Sequence, residues 1–132
     1  MARAEFNFFY RFRVRFSEVD PQSVVFNSRY LEYADVVLTE FWRWHNVDGL
    51  WSHLRHVTVD FFKPFSSDEE VDGFVRVESI GVTSYTAAIE LHGKAVEDLR
   101  TKLVLVYVNV DRITGRPMRI ADSVRNAFEL AD

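Results

Sequence analysis

Cysteine is absent from the 132 residues, so disulfides, thiol nucleophiles and thiolate metal sites are excluded. Prolines number three and glycines five, and no linker, repeat or low-complexity segment interrupts the chain. No stretch approaches the ~20 apolar residues of a membrane span. The opening MARAEFNFFY lacks the unbroken apolar run of a signal peptide, and a soluble cytoplasmic protein is the expectation. Basic residues do not predominate: 16 Lys and Arg against 20 Asp and Glu give a net charge of −4. Binding a phosphate backbone draws on a basic face, so nucleic acid is not expected as the main partner. Apolar residues are abundant, at 48% with 15% aromatic and twelve Phe, which speaks against disorder. The length fits one domain over residues 1–132 with a substantial core.

Phe8, Tyr10, Phe12, Val14 and Phe16 alternate with Phe9, Arg11, Arg13 and Arg15. This period of two describes a strand with one buried face and one largely basic face. Interleaved aromatic and basic residues also mark surfaces that stack nucleic-acid bases. Here the two kinds fall on opposite faces, which favours a core. From Ser28 to about His45 the period becomes helical, through Tyr30, Ala34, Val37 with Leu38, Phe41 and Trp44. Ser28 or Asn27 suits the N-cap, and Asn46 and Gly49 suit the end. Leu31, Tyr33, Val36 and Trp42 carry apolar character to the other faces. The helix is therefore expected to be covered on most sides, as by a sheet wrapped around it.

The remainder is strand-like. Val57 to Lys63 alternates and stops at Pro64, and Val71 to Ile80 follows the turn signal Ser66-Ser67-Asp68. Beyond Gly81 a strand runs from Ser84 to about Val96. Glu97 to Arg100 reads as a hairpin loop leading to Lys102–Val110, whose run Leu103 to Val108 is apolar on both faces like a central strand. Asp111 to Gly115 reads as a turn, and Ile120, Val124 and Phe128 as a short terminal helix. Short connections favour antiparallel pairing, and one sheet packed on a helix makes an α+β domain. The sheet's free edge or second face needs a cover, for which a second copy of the chain is the simplest.

One stretch, VDPQSVVFNSRYLEY, joins the first strand to the helix. Read locally, Asp20 before Pro21 is a turn residue or a helix cap, Asn27 an N-cap and Tyr30 a packing residue. A chemical reading is also open. A carboxylate can attack a carbonyl or activate water, and a helix N-terminus offers unpaired N–H groups and a positive dipole end to a developing oxyanion.

The element order, together with Asp20-Pro21-Gln22-Ser23-Val24-Val25-Phe26, Asn27 and Tyr30, resembles the hot-dog fold acyl-CoA thioesterases of the 4-hydroxybenzoyl-CoA thioesterase branch. Val57 to Pro64 looks like that family's second strand, and Val108 to Asp111 with Arg116-Pro117 like its last strand and exit. The resemblance covers about Phe8 to Phe128. It implies an antiparallel sheet wrapped around a long central helix, and hydrolysis of acyl-CoA thioesters to free acid and coenzyme A. In that reading Asp20 is nucleophile or general base, a backbone N–H near Asn27 polarises the carbonyl, and the Asn27 side chain orients water or substrate. Ser23, Phe26, Tyr30, Thr83 and Ser84 would border the substrate, the last two often from a neighbouring subunit. Relatives form homodimers or homotetramers with shared sites. No metal or bound cofactor is implied, since coenzyme A belongs to the substrate.

The chain departs from the family at two places. Ser23 stands where glycine is usual, and Ala121-Asp122 replaces an Ile-Pro-like exit. A hot-dog protein that binds acyl thioesters without turnover, or one acting on an acyl carrier protein, is the alternative, and Ser23 is its best support. A hydratase on the same fold wants a His paired with the acid, and none occurs between Met1 and Trp44. Arg76, Lys94 and Lys102 could meet coenzyme A phosphates or simply be solvated. His53 and His56 lack an acid at metal-binding spacing, and Ser66-Ser67 lacks a nucleophile-elbow context. Phe26, Trp42, Trp44 and Trp51 could line an acyl pocket or belong to the core.

Overall fold

The computed structural model describes residues 6–47, 50–95 and 97–131. Gly49 and Val96, expected near the ends of the helix and of a strand, lie outside these residues. In chain order the elements are β1 (Phe9–Arg13), α1 (Arg29–Trp44), β2 (Ser52–Phe61), β3 (Glu70–Ile80), β4 (Ser84–Gly93), β5 (Leu99–Asn109) and α2 (Asp122–Ala131). The strands form one five-stranded sheet in the order β1-β3-β4-β5-β2. Every pairing is antiparallel. The domain is α+β, with α1 packed on one sheet face, as the hot-dog resemblance implies.

The pleat sorts the sheet residues. Tyr85, Ala87 and Ile89 of β4 pair with Tyr107, Leu105 and Leu103 of β5, and all six point to the face that α1 covers. Tyr30, Tyr33, Ala34, Val37, Leu38 and Phe41 of α1 are buried there. Each large apolar side chain removed from water contributes about 1.5–3 kcal/mol. The helix lies close because β3 carries Gly73 at the crossing, where any Cβ would collide with the Val37 side chain. α2 and Ile120 just before it close one end of this core: Ile120 and Phe128 are fully buried, and Phe128 stacks on Trp42 at 4.8 Å.

The basic face of β1 has acidic neighbours on β3. Arg11 donates to both Asp72 oxygens at 2.6 and 3.0 Å, and Arg13 donates to Glu70 at 2.9 Å. The helix ends as its composition foretold, with Asn46 at φ 54°. Its N–H bonds Arg43 O at 3.2 Å and the Val47 N–H bonds Trp42 O at 3.0 Å, the two bonds of a Schellman cap.

Four expectations are corrected. Phe16 is 84% exposed, because regular pairing stops at Arg13 and the chain turns through a 3-10 helix at Phe16–Glu18. β2 starts at Ser52, five residues before the expected Val57. A bulge between Leu54 and His56 breaks the alternation there and hid the strand. The loop between β4 and β5 comes earlier than expected, because Leu99 and Arg100 already belong to β5. Finally, α1 is covered on one side only: Leu31, Val36 and Trp44 are exposed. β2 is an edge strand of the sheet, with Leu54 and Phe61 exposed on it.

Candidate functional site

Between the 3-10 turn and α1 the chain folds back on itself. Val19 bridges Val25, the Phe26 N–H bonds Glu18 O at 3.1 Å, and the Asp20 N–H bonds Val24 O at 2.8 Å. The Val25 N–H then bonds Phe65 O at 2.8 Å and anchors the loop to the segment after β2. Asp20 thus sits in one small loop with the residues that open α1.

The half-buried Asp20 carboxylate uses Oδ1 for its own loop, accepting the N–H of Gln22 at 2.8 Å and of Val24 at 3.4 Å. Its Oδ2 has no hydrogen-bond partner among the described residues. The turn role read from the local sequence is therefore real, and it leaves one oxygen over. Ser23 completes the turn at φ 67°. That is the left-handed region glycine adopts freely and other residues enter at a cost of about 1–2 kcal/mol. The Ser23 side chain is exposed.

Ser28 occupies the N-cap position of α1 but makes no capping bond through its side chain, which corrects the expectation of a side-chain cap. It has helical angles, φ −67° and ψ −20°, so the chain enters α1 through a turn. In that turn the Arg29 N–H bonds Phe26 O at 2.9 Å and the Tyr30 N–H bonds Asn27 O at 3.3 Å. The backbone N–H groups of Asn27 and Ser28 have no acceptor among the described residues. Two unfilled donors at the positive end of a helix form an anion-favouring corner. Asn27 lines a cavity of about 170 Å³ with Val25, Tyr30, Phe61, Lys63 and Pro64. Tyr30 is buried, its ring edge-on to Phe61 at 5.1 Å, and its hydroxyl accepts the Phe65 N–H at 3.4 Å. Burial raises its pKa, so it packs the cavity wall as a neutral phenol. Phe26 is 54% exposed and does not line this cavity.

A larger cavity, about 320 Å³, opens further along α1 against the first residues of β2. Trp42, Trp51, Tyr85 and Tyr107 line it, with Asp35 from α1. The Tyr107 hydroxyl is buried there on the Asp35 side of the cavity. Burial pushes its pKa up, and Asp35 adds to the rise. Asp35 is exposed, and partial desolvation beside the cavity wall holds its carboxyl above the ordinary range. Of the four aromatic residues considered for an acyl pocket, Trp42 and Trp51 line this cavity, while Phe26 and Trp44 line neither it nor the cavity at Asn27. Asp35 escaped the sequence reading, although it is a charge on a helix otherwise rich in apolar residues. Glu18 escaped as well, and it is buried two residues before Asp20.

Thr83 and Ser84 are not brought to Asp20 within one chain. Ser84 pairs with Val108 at the start of β4, whereas Phe61, beside the start of α1, lies level with Thr101 and Leu91. The seven residue steps from Ser84 to Leu91 span roughly 23 Å of strand. Arg76 lies over the Phe6 ring at 5.2 Å, and Lys94 is 3.4 Å from Glu70. Arg76 stands on β3 and Lys94 follows the end of β4, and Lys63 is the cation that lines the cavity at Asn27. Among the described residues no group of three or more His, Asp or Glu side chains is placed to hold a metal ion, and no helix is long and apolar enough to cross a membrane.

The Thioesterase superfamily model matches residues 22–98. Solved structures share the fold at low identity. A Pseudomonas aeruginosa protein superposes with a TM-score of 0.90 at 19% identity, over 98% of this chain and 94% of its own. A 1,4-dihydroxy-2-naphthoyl-CoA thioesterase from Synechocystis gives 0.83 at 14% identity, over 92% and 94%. A Thermus thermophilus thioesterase complexed with coenzyme A and Zn gives 0.82 at 22% identity, over 93% and 98%. No curated protein matches the chain in sequence.

Proposed function

The chain belongs to the thioesterase superfamily, and from that premise we propose that it hydrolyses acyl-CoA thioesters to the free acid and coenzyme A. The observation that carries this reading is that one short connection holds a carboxylate with a spare oxygen and, where it enters α1, two amides with no acceptor among the described residues. Asp20 Oδ2 attacks the thioester carbonyl or takes a proton from the water that does. The N–H groups of Asn27 and Ser28 receive the negative charge that develops on the carbonyl oxygen, and they cost no reorganisation because nothing else occupies them. The Asn27 side chain, at the cavity rim, orients the substrate or the water. Ser23 and Phe26 border the approach, and Tyr30 forms the wall.

The site is completed by a second copy. β2 is an unpaired edge, and pairing two copies antiparallel along it removes that edge from solvent. A two-fold axis on β2 sets the Ser52 end of one copy beside the Phe61 end of the other. The partner's larger cavity, with Trp42, Trp51, Tyr85 and Tyr107, then comes next to the first copy's Asp20 loop, and the partner's Thr83 and Ser84 approach on the same side. In this arrangement the acyl group enters the aromatic cavity. Coenzyme A remains outside, where Lys63 faces its phosphates. The protein works as a homodimer or homotetramer.

Release of free thiol from aromatic and aliphatic acyl-CoAs, beside the same acyl groups on an acyl carrier protein, tests this proposal. Turnover of the coenzyme A esters supports it. Binding of those esters with no turnover would replace it by an acyl-binding role.

A further inference from the structure

Glu18 is a charged residue buried to 6% exposure at the root of the Asp20 loop. Its Oε1 accepts the Tyr33 hydroxyl at 3.0 Å and the Arg15 backbone N–H at 2.8 Å. Its Oε2 accepts the Arg15 guanidinium at 3.2 and 3.1 Å. Burial opposes ionisation of this group, but these donors outweigh it and hold the carboxyl below its ordinary range. Burying a carboxylate is costly unless all its acceptor sites are used, and here donors reach both oxygens.

The position of this anion gives it a role. Its main-chain carbonyl accepts the Phe26 N–H, so residue 18 is tied to the returning arm of the loop as well as to the outgoing one. Its side chain reaches across to Tyr33, which is itself buried on α1. Among the described residues this is the one side-chain hydrogen bond between segment 15–26 and α1. Asp20 belongs to the loop, and the Asn27 and Ser28 amides belong to the start of the helix. Whatever fixes the loop against the helix fixes the acid against the donors. The salt bridge to Arg15 alone could not do this, since the Arg15 side chain is 75% exposed and lies on the loop's own arm.

We propose that Glu18, clamped by the Tyr33 hydroxyl, is a positioning residue that sets the distance between the Asp20 carboxylate and the amides at the start of α1. The inference rests on the proposed function. It adds that loop and helix are registered by a buried acid–phenol pair that does not touch the substrate.

The test compares wild type, Tyr33→Phe, Glu18→Gln and the double variant in two measurements. Tyr33→Phe keeps the packed ring and removes only the hydroxyl; Glu18→Gln keeps the shape and removes the charge. In steady-state hydrolysis of an acyl-CoA, each single variant is expected to lose roughly ten- to a hundredfold in kcat, with KM within about twofold. The double variant should be no worse than the poorer single, because the two groups act as one unit. Amide hydrogen exchange is read on the same proteins. The Gln22 and Val24 amides, which bond Asp20 Oδ1, should exchange about tenfold faster in both singles, while β4 and β5 amides are unchanged.

A clamp that served stability alone would lower the melting temperature and leave kcat and the exchange of Gln22 and Val24 at wild-type values. That result overturns the inference. Lost turnover with unchanged exchange overturns it as well. If wild type hydrolyses no thioester, the proposed function falls, and the exchange comparison still decides whether the pair holds the loop.

Discussion

Gly73 on β3 faces Val37 on α1 so closely that there is no room for a methyl group between sheet and helix. The contact sets how near α1 lies to the middle of the sheet. Gly73→Ala is expected to destabilise the fold by about 1–3 kcal/mol, the range for overpacking a filled core. Chemical denaturation should show a lower midpoint with an unchanged slope. Combining it with Val37→Ala, which opens space at the same point, should recover part of the loss.

Ser23 tests the left-handed turn from the other direction. Because it is held at φ 67°, Ser23→Gly removes a conformational penalty while adding flexibility to the unfolded chain. The net expectation is a gain of about 0.5–1 kcal/mol, or a few degrees in melting temperature. Ser23→Ala should show no such gain. Thioester turnover should be retained in Ser23→Gly, since the loop shape it favours is the one already present.

The segment after β2 carries a charge cluster that makes stability depend on acid. Arg100 is buried, lies over the Phe65 ring at 4.7 Å, and donates to Glu69 and Asp98. The hydrogen bond from Arg100 leads the causes that lower the Glu69 pKa from 4.5 to about 2. A carboxyl whose folded pKa is depressed contributes stability above its unfolded pKa and loses it as pH falls toward the folded value. The melting temperature should therefore fall between about pH 4.5 and 2, as Glu69 takes up its proton. Glu69→Gln should melt lower than wild type at pH 7 and show a flatter acid profile. Parallel profiles for the two proteins would rule out this contribution.

The exposed side of α1 and the open edge of β2 call for a partner. Sedimentation equilibrium is expected to give a mass at least twice that of one chain. Leu54→Arg, on the unpaired edge strand, should shift the assembly toward the single chain and lower turnover with it. A monomer with full activity would contradict the shared site.

Much of the fold was legible because its signals are local. The helical period of α1, the asparagine at its C-terminal cap, the doubly apolar run of β5 and the spacing of Ile120, Val124 and Phe128 are each written in neighbouring residues. The misreadings arose where a distant contact decides. Ser52 to Leu54 are a strand only because β5 pairs with them across a bulge, and Phe16 faces solvent because the chain turns before it. At the site, Asp20, Ser23 and Asn27 were visible as a loop motif. Glu18 acquires its meaning from a tyrosine fifteen residues away, and Asp35 from a cavity that forms only when α1 meets β2. Neither has a signature in its immediate sequence.

The central claim is that the Asp20 carboxylate performs the chemistry, and Asp20→Asn examines it with little change of shape. The remaining side-chain oxygen can still accept the Gln22 and Val24 amides, so the turn persists while the charge is lost. Free-thiol release from an acyl-CoA is expected to fall by about a hundredfold or more in kcat, with the substrate still bound. Turnover at the wild-type rate by the asparagine variant would contradict the account and remove Asp20 from the mechanism.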